Sequence, residues 1–256
     1  GTTEGLYSDD FGTTWSPTAT PPGRVTYLGS GVALAQSGAG IVRSTNYGGT
    51  WQSFAPWPTM PDGNTAYGFG PMLVDKDPNT GNIVRLVDSV FDNYHNAYVR
   101  FSTDGGLTWP TFIKAPWISE TTLVRAANGD IIAATRTDGT ASIPDPEAPY
   151  DWRRVGGEQD FYSGLGVHIS KDNGYTWSSV NKLYEFGRHH ASPVRMPNND
   201  LVMSYVVRLG YPDTPEGLPR YGIEAALSHD NGETWDLDRR YVLDQWEGEW
   251  IGQPGG

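Results

Sequence analysis

Short runs in which apolar and polar residues alternate recur along the whole chain. Four of them cover residues 39–43, 97–101, 165–169 and 222–227. Alternation with a period of two is typical of strands that bury one face. No apolar run approaches the ~20 residues needed to cross a bilayer. Helical periodicity is absent except for one turn at 180–186. The pattern therefore predicts an all-β protein.

Three further pairs of apolar runs are joined by turn sequences and predict hairpins. The pairs are 69–75 with 82–87, 122–126 with 130–135, and 193–196 with 201–207. The intervening turns are rich in Asn, Pro and Gly, and Asn-Gly between two apolar runs is a strong hairpin signal. Each hairpin is followed by a loop, an alternating run and a closing segment. The units therefore contain four strands each.

An eight-residue sequence of the form Ser-x-Asp-x-Gly-x-Thr-Trp ends each alternating run. Its third-place Asp or Asn can accept hydrogen bonds from backbone N–H groups just ahead, and its Gly supplies a positive φ. Its Trp can fold back as an apolar anchor. The octet occurs five times, with third and eighth places at Asp10 and Trp15, Asn46 and Trp51, Asp104 and Trp109, Asp172 and Trp177, and Asp230 and Trp235.

The spacing of these octets predicts the architecture. They recur about every 40–70 residues, which fits a four-stranded propeller blade of ~40–50 residues with insertions. Since a single blade cannot bury both of its faces, blades stack around an axis. We predict one β-propeller domain over residues 1–256 with six blades, of which five carry an octet. A β-solenoid or a sandwich is the alternative. The chain starts just before an octet and ends on residues 252–256, which look like another repeat, so we expect a fragment of a longer chain.

Composition argues against several classes of partner and site. The formal net charge is −12, and no basic stripe is available to neutralise phosphates, which argues against a nucleic-acid partner. With no long apolar run, membrane insertion is not expected either. The chain has no cysteine, which excludes disulfides and thiolate metal sites.

Two long segments interrupt the strand pattern, at residues 137–163 and 208–221. Loops of this length in a compact domain are more often functional or disordered. In a propeller both would rim the face opposite the octets. Their aromatic and Arg residues, including Trp152 and Tyr211, suit sugar binding, because aromatic faces stack on sugar rings and Arg binds carboxylates. Ordinary surface loops are the alternative.

The octet is identified as the Asp-box of the sialidase superfamily, also called the bacterial neuraminidase repeat. The resemblance covers essentially the whole chain and implies a β-propeller whose boxes are peripheral and structural. It is less specific for activity, because Asp-boxes also occur in other glycosidases, some polysaccharide lyases and sortilin-type receptors. It implies a glycan or oligosaccharide substrate, no cofactor, and a secreted, periplasmic or cell-surface location.

Sialidases grip the substrate carboxylate with three arginines and use a Tyr–Glu pair and an acid/base Asp. Residues 120–136 resemble the sialidase hairpin, which implies that Glu120 is the partner of the nucleophile and Arg136 the second arginine. Both ends of a hairpin return to one face, so these two side chains are expected to lie close together. Arg220 is similar to the third arginine, and Arg208 competes for that role. A structural Glu–Arg pair is the alternative.

Two histidines lie at the start of the predicted four-stranded unit that follows this hairpin. His189 and His190 are candidates for substrate hydrogen bonds or for general acid/base catalysis, since imidazole titrates near neutral pH. A metal is not expected, because no carboxylate or third histidine sits at ligand spacing. Structural histidines at a strand start are the alternative. Further candidates for substrate binding are Arg188, Asp88, Asp92 and His95. For the last three a solvated loop is the alternative, and the sequence favours it.

The chain also departs from the sialidase pattern. The Arg-Ile-Pro motif of the first arginine is absent, as is the loop that holds the acid/base Asp. Gln253 stands where the nucleophilic Tyr is expected, and Gln cannot act as that nucleophile. Three hypotheses follow: a sialidase-like glycoside hydrolase acting on an acidic or complex glycan, a non-catalytic propeller that binds glycan or protein, and a lyase acting on a uronate-containing glycan.

Overall fold

The computed structural model describes residues 5–8, 10, 12–18, 20, 22–37, 40–57, 59–92, 96–138, 163–185, 187–207 and 221–246. These residues form strands and turns. The strands are β1 (Gly5–Tyr7), β2 (Ser16–Thr18), β3 (Val25–Gly29), β4 (Val32–Ser37), β5 (Gly40–Ser44), β6 (Gln52–Ala55), β7 (Tyr67–Gly68), β8 (Leu73–Lys76), β9 (Ile83–Phe91), β10 (Ala97–Ser102), β11 (Thr111–Lys114), β12 (Thr121–Arg125), β13 (Ile131–Asp138), β14 (Ser163–Ser170), β15 (Asn181–Tyr184), β16 (Arg188–Arg195), β17 (Leu201–Val207), β18 (Tyr221–Ser228) and β19 (Asp236–Trp246). Within the described ranges, no helix has the length and apolar character needed to cross a membrane.

The chain divides into two compact units. Unit 1 comprises residues 1–92 and 98–113, and unit 2 comprises 93–97 and 114–256. Unit 1 contains the β1–β2 ribbon, sheet 1 in the order β3-β4-β5-β6, and nearly all of sheet 2, in which β11, β10 and β9 are adjacent and both β7 and β8 pair with β9. Unit 2 contains sheet 3 (β12-β13-β14-β15) and sheet 4 (β16-β17-β18-β19). This sequential pairing is the connectivity of a propeller blade.

The all-β class and the four-stranded repeat predicted from the sequence are therefore confirmed, with four blade-like sheets among the described residues. The predicted total of six blades and the single domain over 1–256 stay predictions. The helical turn expected at 180–186 is wrong, because β15 pairs with β14 there. Strands β3 and β4 were not assigned from the sequence.

Each unit has its own apolar core between two sheets. In unit 1, Leu34 of sheet 1 and Leu86 of sheet 2 are fully buried in one cluster with Trp109. In unit 2, Ile132 of sheet 3 and Met203 of sheet 4 are likewise fully buried in a shared cluster. The middle strand β14 is buried at nearly every position, whereas the middle strand β17 alternates between buried and half-buried positions.

The Asp-boxes fold as the sequence predicts. In all five, the serine hydroxyl donates to the third-place side chain at 2.7–2.9 Å. It also accepts from the glycine N–H at 2.7–2.9 Å. The threonine N–H donates to the third-place oxygen at 2.8–2.9 Å. The serine and the third-place side chain therefore together satisfy the glycine and threonine N–H groups of the turn.

In the four boxes whose fourth place is described, two consecutive left-handed residues give the turn its shape. The fifth-place glycines have φ between +86° and +96°. The fourth place also has a positive φ in the four boxes where that residue is described: +57° at Tyr47, +72° at Gly105, +64° at Asn173 and +62° at Asn231. Gly and Asn tolerate this conformation, whereas a bulky side chain is strained by about 1–3 kcal/mol. Tyr47 is therefore the strained member of the set.

The box glycines also allow close packing between sheets. A Cβ on Gly106 would lie 2.8 Å from Leu34 of sheet 1, and one on Gly232 would lie 3.0 Å from Ile132 of sheet 3. Both contacts join a box to the core of the preceding sheet in the same unit. The glycine is therefore needed for its φ and for its lack of a side chain.

The box tryptophans are not equally buried. Trp109 and Trp235 are 6% and 8% exposed, and Trp177 packs edge-on against Trp117 with ring centroids 4.8 Å apart. Trp15, in contrast, is 60% exposed. The expectation that a box Trp is a buried anchor is therefore wrong for Trp15 of the first box.

Replacing Trp235 with Ala should lower the free energy of unfolding by ~3–5 kcal/mol, because it leaves a large cavity in the unit 2 core. The matched change Trp15→Ala should alter it by less than ~1 kcal/mol, since that ring is mostly solvated. Urea unfolding of the two variants measures both values. Equal losses would contradict the difference in burial.

The box carboxylates should make stability depend on pH in a narrow acidic range. Hydrogen bonds from the Thr108 hydroxyl and N–H lower the pKa of Asp104 from 3.8 to about 2. A lowered pKa in the folded state means that its stabilisation is complete above pH ~4 and is lost as pH falls towards 2. Asp104→Asn should therefore flatten the fall in unfolding free energy between pH 4 and 2.

The second box provides the precedent for this variant, because Asn46 keeps the N–H bond from Thr50 at 2.9 Å. Urea unfolding of the variant and the unchanged protein across pH 2–5 measures the slopes. Parallel slopes would show that Asp104 does not contribute to the acid sensitivity.

Candidate functional site

The candidate site begins at the hairpin of sheet 3. Glu120 lies immediately before β12, and Arg136 lies in the paired strand β13. The Arg136 N–H donates to the Glu120 carbonyl at 3.0 Å, and its Nη1 donates to Glu120 Oε2 at 3.1 Å. The side chains are 14% and 20% exposed for Arg136 and Glu120. The proximity predicted from the hairpin is therefore observed.

A histidine from sheet 4 contacts the same carboxylate oxygen. His190 Nε2 lies 3.1 Å from Glu120 Oε2, and its side chain is 20% exposed. The contact forms because β12 and β16, the first strands of their sheets, pack against each other. Glu120 thus joins an arginine from its own sheet to a histidine from the next one.

The backbone at His190 is irregular. The register of β16 against β17 shifts between His189 and Ser192, and His190 has a φ of +55°. A bulge re-aims the side chains of a strand, and a positive φ in a residue other than Gly or Asn is strained. The local strain therefore accompanies the orientation that brings the His190 ring to Glu120.

His189 completes a cluster of metal-binding residue types. It is fully buried, and its ring lies edge-on to that of His190 with centroids 4.1 Å apart. One ligand atom from each of Glu120, His189 and His190 lies within 4.8 Å of the others. The expectation that no carboxylate lies near the histidines is wrong, because Glu120 reaches them from another sheet.

These three residues could hold a divalent cation, since imidazole and carboxylate are common ligands of zinc and related metals. The guanidinium of Arg136 is bonded to the same oxygen as His190, and its positive charge opposes a cation there. The arrangement favours proton transfer over metal binding.

The environment of Glu120 keeps its carboxylate charged. Burial raises its pKa, but the hydrogen bond from His190 and the positive charges of His190 and Arg136 outweigh that effect. The pKa therefore lies below its usual value of 4.5. A carboxylate with a lowered pKa is an anion at neutral pH, which suits it to act as a base or as an electrostatic partner.

A buried ion pair lies next to the histidines. Arg188, 2% exposed, donates through Nε to Glu224 Oε2 at 3.2 Å and lies 4.7 Å from the centre of the Tyr184 ring. The hydroxyls of Tyr184 and Tyr205 are 2.8 Å apart. Arg188 was expected to bind substrate, but its burial and partners are those of a support for the strand that carries His189.

Sequence reasoning missed three members of this support, Glu224, Tyr184 and Tyr205. Glu224 had a usable signal, because a carboxylate within the otherwise uncharged run 221–228 is out of place in a buried strand unless it is paired. The two tyrosines had none, since each fits an ordinary strand pattern.

The two candidates in unit 1, Asp88 and Asp92, are buried, although the sequence predicts that they face the substrate. Asp88 is 1% exposed and accepts two bonds from Arg100, at 2.6 and 2.9 Å from Nη2 and Nε. The Arg100 guanidinium lies 4.2 and 4.4 Å from the ring centres of Trp57 and Trp109. Asp92 is 3% exposed and accepts a bond from Asn64 at 2.8 Å. Such burial is typical of structural pairs.

The remaining candidates lie outside the described residues. They are Arg208, Arg220, Tyr211, Trp152, His95 and Gln253. Most of the two long loops, 137–163 and 208–221, lies there as well. The roles expected of these residues stay predictions.

Comparison with known proteins supports the repeat and the fold. Residues 6–17 match the BNR/Asp-box repeat family. A comparison with curated proteins found no match. A solved protein of unknown function from Dyadobacter fermentans is 21% identical with a TM-score of 0.62, over 94% of this chain and 71% of that one.

Two enzymes of known type share the fold at lower identity. The NanB sialidase from Streptococcus pneumoniae is 16% identical with a TM-score of 0.52, over 94% of this chain and 34% of that one. The GH93 α-L-arabinofuranosidase of Fusarium graminearum is 17% identical with a TM-score of 0.52, over 86% of this chain and 65% of that one. This chain thus spans about a third of the sialidase and just under two thirds of the arabinofuranosidase.

These findings agree with the five boxes and the blade-like sheets. The chain therefore carries Asp-box repeats, and its fold resembles that of the NanB sialidase and of the GH93 arabinofuranosidase.

Proposed function

We propose that the chain is a glycoside hydrolase acting on a complex glycan, with Glu120, His190 and Arg136 as its catalytic cluster. The observation that carries the proposal is the convergence of His190 and Arg136 on one oxygen of Glu120, each at 3.1 Å. The ion pairs Arg100–Asp88 and Arg188–Glu224 are more deeply buried than this half-open cluster. Partial exposure leaves room for a substrate to reach it.

Hydrolysis of a glycosidic bond needs a proton at the leaving oxygen and removal of one from the attacking water. His190 is the residue suited to both transfers: its protonated ring gives a proton to the leaving oxygen, and the neutral ring then takes one from the attacking water. Glu120, held as an anion, accepts a hydrogen bond from His190 at 3.1 Å and so fixes the orientation of its ring. Arg136 in turn holds the Glu120 carboxylate in place.

The strained backbone at His190 supports a functional role. Strain of this kind persists where the surrounding structure holds it, and it is concentrated at active sites and ligand-binding sites. The bulge between His189 and Ser192 also supports a functional role for His190, because bulges are common beside active sites. A merely structural histidine at a strand start would need neither feature.

The fold is consistent with this chemistry, since both enzymes of known type described above act on glycosidic bonds. The cluster differs from the sialidase arrangement in its histidine. We therefore assign the substrate to glycans in general. The sialidase resemblance implies an acidic sugar as substrate. Recognition of that sugar depends on Arg220 and on other residues that lie outside the described ranges.

A lyase acting on a uronate-containing glycan is the second candidate. The observation that favours it is the edge-on pair His189–His190 beside Glu120, because a lyase needs a base that removes the proton next to a carboxylate. The products separate the two reactions. A hydrolase releases reducing sugar alone, whereas a lyase also releases an unsaturated uronate with its own ultraviolet absorbance.

Turnover should depend on both His190 and Glu120. On a panel of sialosides, arabinofuranosides, other aryl glycosides and uronate polysaccharides, we expect reducing sugar without the unsaturated product. His190→Gln should lower kcat/KM by about 10²–10⁴-fold, the usual contribution of a general acid or base. Glu120→Gln should lower it as well, since the neutral amide cannot stabilise protonated histidine.

Two exposed residues provide matched controls. Glu185→Gln removes a carboxylate that is 65% exposed, and His229→Gln removes a ring that is 63% exposed. Neither should change kcat/KM more than about twofold, since surface changes are usually small. Full activity of Glu120→Gln and His190→Gln would reject the site. No turnover on the panel, with glycan binding retained, would reject the hydrolase and favour a binding module.

A further inference from the structure

Unit 1 has an aromatic feature that the proposed reaction does not use. Tyr27 and Tyr47 stack with ring centroids 6.5 Å apart and planes inclined by 27°. Their rings remain 54% and 78% exposed. Together they form the tyrosine platform, a pair of adjacent aromatic faces open to solvent.

The other Asp-boxes show which residues fit the turn position that Tyr47 occupies. It occupies the fourth place of the second box, where the third, fourth and fifth boxes have Gly105, Asn173 and Asn231. All four residues have a positive φ, but only Gly and Asn are suited to it. The fourth place of the first box, Phe11, lies outside the described residues. A strained Tyr at a place where Asn folds well indicates a requirement for its ring.

The turn beneath the rings is built around them. Gly31 donates its N–H to the Tyr27 hydroxyl at 3.1 Å and accepts at its carbonyl from the Tyr47 N–H at 2.9 Å. A Cβ at Gly31 would lie 2.9 Å from Cε2 of Tyr47, so a larger residue there would displace the ring. The platform is thus held in place before any ligand arrives, which reduces the entropy lost on binding.

The chemistry of the platform fits an uncharged sugar. Neither the turn 29–31 nor the box 44–51 contains a charged side chain. Lys76 is the charged residue near the turn, with its Nζ 3.6 Å from the position of a Cβ on Gly29. The net charge of −12 disfavours acidic polymers at an exposed surface. Flat aromatic faces with hydroxyl and amide groups around them stack on the apolar face of a sugar ring.

We propose that Tyr27 and Tyr47 form an accessory binding site for a neutral polysaccharide. The platform belongs to unit 1, whereas Glu120, Arg136 and His190 belong to unit 2. It binds substrate polymer without taking part in bond cleavage. The proposal does not depend on the hydrolase assignment, because an accessory site would serve a glycan-binding protein equally well.

The test is affinity electrophoresis of the full chain in gels that contain soluble arabinan, xylan or mixed-linkage β-glucan. At least one of these polymers should retard the unchanged protein. Tyr47→Asn should weaken that binding by about five- to tenfold, the scale of one aromatic contact. Tyr47→Phe keeps the ring and should bind within about twofold of the unchanged protein.

Thermal melting separates a binding role from a structural one. Tyr47→Asn relieves the strained backbone, so its Tm should rise by about 2–4 °C while its binding falls. Loss of binding with a gain in stability would show that the ring is kept for the ligand. Tyr175→Ser is the matched control, because Tyr175 is another box tyrosine, 52% exposed, that lies outside the platform. It should leave binding unchanged.

Three results would overturn the proposal. The first is that none of the three polymers retards the protein. The second is that Tyr47→Asn binds as well as the unchanged protein. The third is that Tyr47→Asn changes the oligomeric state by light scattering, which would make the platform a contact between copies of the chain. Each readout is independent of turnover, so the failure of the hydrolase proposal leaves this test intact.

Discussion

The polar side chain at the third place of each Asp-box is the constraint on which the blades depend. It binds the serine hydroxyl and the threonine N–H at once, and so closes a turn that contains two consecutive left-handed residues. The box glycine then fits against the preceding sheet, as Gly106 does against Leu34. Because the same turn recurs, each unit repeats the same packing between neighbouring sheets.

A repeated turn also makes exceptions visible. Trp15 lies largely in solvent, whereas Trp235 is buried, although both end the same octet. Tyr47 has a conformation that its counterparts satisfy with Gly or Asn. These differences are not errors of folding, because the bond from the glycine N–H to the serine hydroxyl is intact in each of these boxes. They identify positions where the surroundings or a ligand, not the turn itself, determine the residue.

The candidate site combines a predictable part with an unpredictable one. The pair Glu120–Arg136 follows from a local hairpin, so sequence spacing was enough to place it. His190 approaches the same oxygen from another sheet, 70 positions along the chain. The bulge that turns His190 towards Glu120 has no sequence signal, because it arises from the register of β16 against β17. For the same reason, sequence spacing does not reveal that the Glu120 carboxylate lies beside the histidines.

The sequence by itself determined the all-β class, the four-stranded repeat and the geometry of every box, because each depends on contacts between residues close together in the chain. It also determined the hairpin that joins Glu120 to Arg136. Only the tertiary structure decided which box tryptophans are buried, that Asp88 and Arg188 lie in buried ion pairs, and that two sheets bring Glu120 to His190. These features depend on packing between sheets, and sequence distance does not encode that packing.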